Sequence, residues 1–295
     1  MPALRAASPW LRTTVLTTLA MIAFAANSLL CRLALQQHLI DAASFGSIRL
    51  LAGALALAVI LRLRRNRAAP AAADWLAASA LFAYVALFSF AYLSLPAGSG
   101  ALILFGAVQL TMFGVGLHAG ERFRRSAWCG LALAIAGLVY LVSPGLAAPP
   151  PGAAAMMAAA GIAWGVYSLR GRGVADPLAS TAANFLRATP LALLLSLALA
   201  THASADAAGV ALAVASGAVT SGIGYVIWYA ALNGLSAMRA ATVQLSVPPI
   251  AAFGGVLLLS ESVSIRLVLA SIAILGGVAM VLASKSRRPV PRRST

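Results

Sequence analysis

Residues 96–125 read PAGSGALILFGAVQLTMFGVGLHAGERFRR. Between the turn Pro96-Ala97-Gly98 and the pair Glu121-Arg122 lies a run, 98–119, without one charged side chain. At about 1.5 Å per residue, a helix of that length crosses the roughly 30 Å hydrocarbon core of a bilayer. Helix is the conformation lipid permits here, because hydrocarbon offers backbone N–H and C=O groups no partners. The ten-residue alternation of a membrane barrel is absent. Working outward in both directions gives ten apolar runs in all: 13–35, 43–62, 73–95, 98–119, 126–144, 153–170, 179–200, 208–232, 237–259 and 264–283. The breaks carry turn chemistry, as at Arg64-Arg65-Asn66, Pro149-Pro150-Pro151 and Asn233-Gly234. The expected fold is an all-α membrane protein with ten transmembrane helices.

Composition agrees. Of 295 residues, 62% are hydrophobic and 9% charged, against about 25% charged in a soluble domain. A net charge of +15 could point to nucleic acid. The placement of the charge excludes that partner, since the basic residues sit in short clusters between apolar runs, which is a topology signal in a lipid bilayer. With ten spans, one side receives Arg5, Arg12, Arg62, Arg64, Arg65, Arg67, Arg122, Arg124, Arg125, Arg170, Arg172, Arg239, Lys285, Arg287, Arg288, Arg292 and Arg293, which is 17 of 21. The other side receives Arg32, Arg49 and Arg266, and Arg187 falls within helix 7. The positive-inside rule then puts both termini in the cytoplasm and the chain in the inner (plasma) membrane. Trp10, Trp75 and Trp128, near the starts of helices 1, 3 and 5, fit an aromatic belt on the same side. The first apolar run is long enough to span and is read as an uncleaved helix rather than a signal peptide.

The chain repeats itself. Arg32 and Arg49 recur 138 residues later as Arg170 and Arg187, both pairs 17 apart. From helix 4 onward the offset is 140: Glu121 matches Glu261, and Gly137 matches Gly277. Five helices per half is an odd number, so the second half enters the membrane upside down. The expected organisation is two inverted five-helix repeats, 13–144 and 153–284, and a basic cytoplasmic tail, 285–295. Inverted repeats of this kind belong to secondary transporters, whose halves exchange conformations about a central site.

Specific stretches then become informative. Leu235-Ser236-Ala237-Met238-Arg239-Ala240, Pro248, and Leu257-Leu258-Leu259-Ser260-Glu261 resemble the end of an EamA-type domain of the drug/metabolite transporter superfamily, as does 272–282 with Gly276-Gly277. Helices 4 and 5 carry the partner pattern in Leu117-His118-Ala119-Gly120-Glu121-Arg122 and 130–137. The resemblance covers nearly the whole chain as two tandem domains. It implies ten helices, cytoplasmic termini, a central cavity lined mainly by helices 1, 3, 4, 6, 8 and 9, and export of amino acids and other metabolites. The chain departs from the pattern at Val108-Gln109, where helix 4 commonly has a proline.

Candidate site residues come from the helix centres. All six acidic residues, Asp41, Asp74, Glu121, Asp176, Asp206 and Glu261, fall in loops or at helix ends. A buried carboxylate relay, a catalytic pair and a metal cluster therefore have no residues to work with inside the membrane, and neither enzyme, metal nor cofactor is expected. Cys31 and Cys129 read as packing residues. Asn27, Tyr84, Gln109, Trp164, Tyr167, Tyr225 and Gln244 remain, with Pro248 as a helix-opening residue that removes a backbone donor. Two readings stand for each: it lines a cavity and binds a polar, neutral or zwitterionic substrate, or it ties helices together. Arg32 and Arg49 flank Asp41, and Arg170 and Arg187 flank Asp176, so each half has the makings of a gating ion pair; snorkelling to the interface is the alternative. Glu121 and Glu261 read as gating or loop-anchoring residues. Gly114, Gly116, Gly130, Gly137, Gly276 and Gly277 read as packing surfaces, and helices 5 and 10 as lipid-facing scaffolds and a candidate homodimer face.

The functional expectation is a small-molecule transporter exporting amino acids or related compounds by alternating access. The alternatives are an importer or facilitator of the same fold, or a membrane enzyme or sensor without transport.

Overall fold

The computed structural model describes residues 9–64, 74–118, 124–143, 148–171, 174–232, 235 and 243–283. The described residues form helices joined by short connections, with one isolated antiparallel bridge, Ile40 to Ala205. The helices are α1 (Pro9–Gln36), α2 (Ala42–Leu63), α3 (Trp75–Ala91), α4 (Ala97–His118), α5 (Arg125–Val142), α6 (Pro151–Arg170), α7 (Pro177–Ala198), α8 (Ala207–Leu232), α9 (Val247–Leu259) and α10 (Ile265–Ala283). Seven are long and apolar enough to cross a membrane; α3, α9 and α10 are shorter apolar helices. Leu55, Leu186, Leu197, Phe253, Leu258 and Ile272 are exposed, a surface that suits lipid and not water.

Helix starts explain where the acidic residues went. Asp41 accepts from the N–H groups of Ala43 and Ser44, Asp74 from Ala77, Asp176 from Ala179 and Asp206 from Gly209. Each satisfies donors that the first turn of a helix leaves unpaired.

The ninth helix differs from expectation. The apolar run 237–259 suggests a helix with Pro248-Pro249 near its middle. Residues 236–242 lie outside the described residues, and Leu245 and Ser246 form a turn. The helix begins at Val247, with the prolines in its first turn. Val243 and Gln244 are helical before that turn, so the chain opens just ahead of Pro248, where the missing N–H groups cost no hydrogen bond. Within α8 the stretch Ala215–Ile223 is π-helical.

α5 packs chiefly on α10, where Gly130 and Gly277 bring the two backbones together. Among the described residues, Gly114 and Gly276 have no neighbour within 4 Å of a Cβ placed on them, so they make no close contact within this bundle. Around the centre, α3 packs on α6 and α7, α1 on α8 and α9, α2 on α7 and α8, and α4 on α6 and α9.

Candidate functional site

Helices α1, α2, α3, α4, α6 and α8 enclose a narrow cavity whose wall includes Asn27, Arg49, Tyr84, Trp164, Ser221 and Tyr225. It has about 20 Å³ of room for water centres, enough for one or two waters. One wall is aromatic. The Trp164 ring lies 4.9 Å from Tyr84, 5.4 Å from Tyr225 and 5.5 Å from Tyr167, and Phe24 meets Tyr225 edge-on at 6.0 Å.

The other wall is a polar chain through four helices. Ser216 and Thr220, on the π-helical stretch, donate to Asn27 Oδ1 at 2.7 and 3.3 Å. Asn27 Nδ2 reaches the Tyr84 hydroxyl at 3.5 Å. Arg49 donates to the same hydroxyl through Nη2 at 3.1 Å and to Ser221 Oγ through Nε at 3.2 Å. The widened π turn helps present Ser216, Thr220 and Ser221 on one side of α8, and such turns recur at functional sites. Gly217 lies against the Arg49 carbonyl, and backbone atoms occupy the space a Cβ would need. That close approach of α2 and α8 turns Arg49 inward.

Arg49 is therefore the main correction. It is neither an outward gating residue nor a snorkelling one, because only 1% of it is exposed and its guanidinium sits over the Tyr84 and Phe88 rings at 5.2 and 5.1 Å.

Of the other expected site residues, Asn27, Tyr84, Trp164 and Tyr225 line the cavity. Tyr167 is buried behind Trp164. Gln109 is buried about one turn along α4 from the cavity residue Phe105, and its Nε2 has no hydrogen-bond partner among the described residues. Gln244 is buried in the segment before α9, and Pro248 is buried in the first turn of α9; neither is in the cavity wall. Ser28, which lies beside Asn27 near the centre of helix 1, lines the wall as well, as do Phe88, Thr220 and Ser221, which the sequence reading passed over. The signal was present in Ser216, Thr220 and Ser221, a small polar cluster inside an otherwise apolar run.

The ion pairs also differ from expectation. Arg32 does not pair with Asp41, nor Arg170 with Asp176. Arg32 Nε binds Glu261 at 3.2 Å, and its Nη1 donates to the carbonyls of Tyr92 and Leu93. Glu261 also accepts from Ala97 N at the start of α4. At the other end of the bundle Arg64 binds Asp176 at 2.7 Å and Arg170 binds Asp74 at 2.9 Å. Each pair joins a residue before 144 to one after 153. The reason is topological: α2 and α6 end where α7 and α3 begin, so a helix-capping carboxylate meets the last-turn arginine of a helix from elsewhere in the chain. Asp41 is tied in the same way, accepting from Ser204 N at 3.1 Å while its own N–H donates to Ser204 O. Burial pushes the Asp41 carboxyl up, but hydrogen bonds from Ser44, Ser204 and Ala43 outweigh it and hold the group below its ordinary value. Asp74 is likewise held low: slight burial raises it, and the Ala77 N–H and Arg170 outweigh that. Arg187 is partly buried, with Nη1 unpartnered. Glu121 lies outside the described residues.

Residues 152–283 match the family model described as EamA-like transporter family. A Pseudomonas aeruginosa protein described as "Uncharacterized protein PA1977" is 54% identical over 277 residues, covering 94% of this chain and 96% of that one. A solved structure described as "Crystal structure of protein" matches with a TM-score of 0.63 at 20% identity, covering 90% of this chain and 98% of the other, a likeness of fold. A chain built of apolar helices around an aromatic and polar cavity, with this family's pattern in its second half and a relative along nearly its whole length, belongs to the EamA-like transporter family.

Proposed function

We propose that the protein exports amino acids or related small metabolites across the inner membrane by alternating access. Ten spans form two inverted repeats, 13–144 and 153–284, with both termini and the 285–295 tail in the cytoplasm. The cavity between the repeats is the transport site, with Asn27, Tyr84, Trp164 and Tyr225 in its wall. Tyr167 stands behind Trp164, and Gln109, Gln244 and Pro248 lie outside the wall.

One observation carries the reading. Ion pairs between the two halves stand at both ends of the bundle that holds the cavity: Arg32–Glu261 at one end, Arg64–Asp176 and Arg170–Asp74 at the other. Opening either end separates oppositely charged partners that belong to different halves, which is what a two-gate carrier requires. The packing supports the inversion. α3 on α6 has its counterpart in α1 on α8, and α4 on α6 in α1 on α9, as expected if helices 1 to 5 and 6 to 10 are related by a two-fold axis. The three shorter helices, α3, α9 and α10, are the remaining spans beside the seven long ones.

The test is counterflow in proteoliposomes and efflux from loaded cells, with radiolabelled amino acids and related acids. Exchange above protein-free vesicles, with net outward movement in cells, is expected. Vesicles that exchange nothing in the panel would overturn the reading.

A further inference from the structure

The cavity wall holds one full positive charge and, among the described residues, no negative one. Arg49 is held by groups that share its charge without cancelling it: the hydroxyls of Ser221 and Tyr84 and the faces of two rings. Its Nη1 is buried and, among the described residues, has no hydrogen-bond partner. A guanidinium cannot shed its proton, so the charge is permanent. Arg32 shows how a structural arginine is treated in this bundle: Glu261 meets its charge and two carbonyls take Nη1. The five described acidic residues are all engaged at helix starts near the ends of the bundle. A buried guanidinium with an idle donor beside a cavity calls for a counter-ion, and none stands among the described residues.

We propose that the missing counter-ion is the cargo: the site takes a small organic acid bearing a single carboxylate, which Arg49 receives through Nη1 while the acid's apolar part packs among Phe24, Trp164 and Tyr225. The proposal rests on the reading of this cavity as the transport site. One cation matches one anion. A phosphate brings about two negative charges and three acceptor oxygens, more than one guanidinium and neutral hydroxyls answer. The ammonium of an amino acid meets ring faces and neutral hydroxyl and amide oxygens here, and no carboxylate among the described residues, so the carboxylate is required and the amine is dispensable. The cavity must widen to admit any such acid, since it holds about 20 Å³ of room for water centres.

The test uses the purified full chain in detergent and matched probes: 3-phenylpropionate against 3-phenylpropanamide, L-phenylalanine against L-phenylalaninamide, isovalerate against isovaleramide, and phenyl phosphate. Calorimetry should find at least one carboxylate binding about tenfold or more tighter than its amide. Arg49→Gln should abolish that preference. Arg49→Lys, which keeps the charge and loses the fork, should keep the preference at reduced affinity, and it serves where Arg49→Gln does not fold. Amides binding as well as acids, no acid binding at millimolar concentration, phenyl phosphate outcompeting the carboxylates, or an undiminished preference in Arg49→Gln would each overturn the proposal. Binding without counterflow in proteoliposomes leaves the anion site standing and removes the transport reading. Counterflow that Arg49→Gln supports as well as the parent chain does the reverse.

Discussion

Replacing Glu261 by Gln tests the gate with little change of shape. Glu261 sits 3.2 Å from Arg32 Nε, and the two side chains are 10% and 13% exposed. A glutamine oxygen can still accept from Ala97 N, so the start of α4 keeps its cap. What is lost is the charge pairing across the two halves. Breaking a fully buried pair costs about 3–5 kcal/mol. Here both groups keep some water and Arg32 keeps two carbonyl acceptors, so about 1–3 kcal/mol is the better figure. If the pair exists only while this end is shut, that energy shifts the open fraction by about 5- to 150-fold. Cys31 is a native reporter. It is fully buried next to Arg32 in sequence, beside Ser89 and in the electrostatic reach of both Arg32 and Arg49. With exposed Cys129 changed to Ser, a charged, membrane-impermeant thiol reagent should label Cys31 faster by that factor in Glu261→Gln. An unchanged labelling rate beside a lowered melting temperature would refute the reasoning and leave Glu261 as a helix cap alone.

Reporter fusions after Arg67 and after Thr295 should report cytoplasm, and one within 145–152 should report the outside; a cytoplasmic report from that loop removes the inverted arrangement. Gln109→Leu deletes a buried donor that has no partner, so melting temperature should hold or rise and ligand affinity stay unchanged. Asn27→Leu strips the shared acceptor from Ser216 and Thr220 and should cost about 1–3 kcal/mol in stability, read by thermal unfolding in detergent. Asn in place of Asp41 or Asp206, which cap helices and stand outside the gate pairs, should leave counterflow in place, because an amide oxygen still caps a helix.

Much of the fold was legible because lipid makes the rules strict. A run without charges must be a helix, and the start of that helix must find acceptors, which is why Asp41, Asp74, Asp176 and Asp206 mark helix starts so cleanly. In the ninth run Pro248 marked an opening of the helix, but hydropathy alone did not place it. Hydropathy scores Pro248-Pro249 as part of an apolar stretch, while the missing donors confine the pair to a first turn. Partners of ion pairs were not legible. Asp176 is close in sequence to Arg170, yet its partner is Arg64, because adjacency in a membrane bundle is set by which helices end at the same level.

The site was half legible, and Arg49 shows where the line falls. It lies seven residues into α2, about 10 Å below the helix start, a depth from which an arginine can either snorkel or turn inward. The rotation of α2 decides, and it is fixed by the approach of Gly217, a residue 168 positions away. No local pattern encodes that. The acid count encodes the consequence, however. With six acidic residues in the chain, and none of them near a helix centre, an arginine that turned inward at mid-bundle could find no carboxylate of its own. Arg187, still deeper inside α7 and, among the described residues, also left with an unpartnered nitrogen, obeys the same arithmetic. In a chain so poor in acids, a charge inside a span calls for a ligand rather than a partner residue, and Arg49 beside the cavity is where that ligand can reach it.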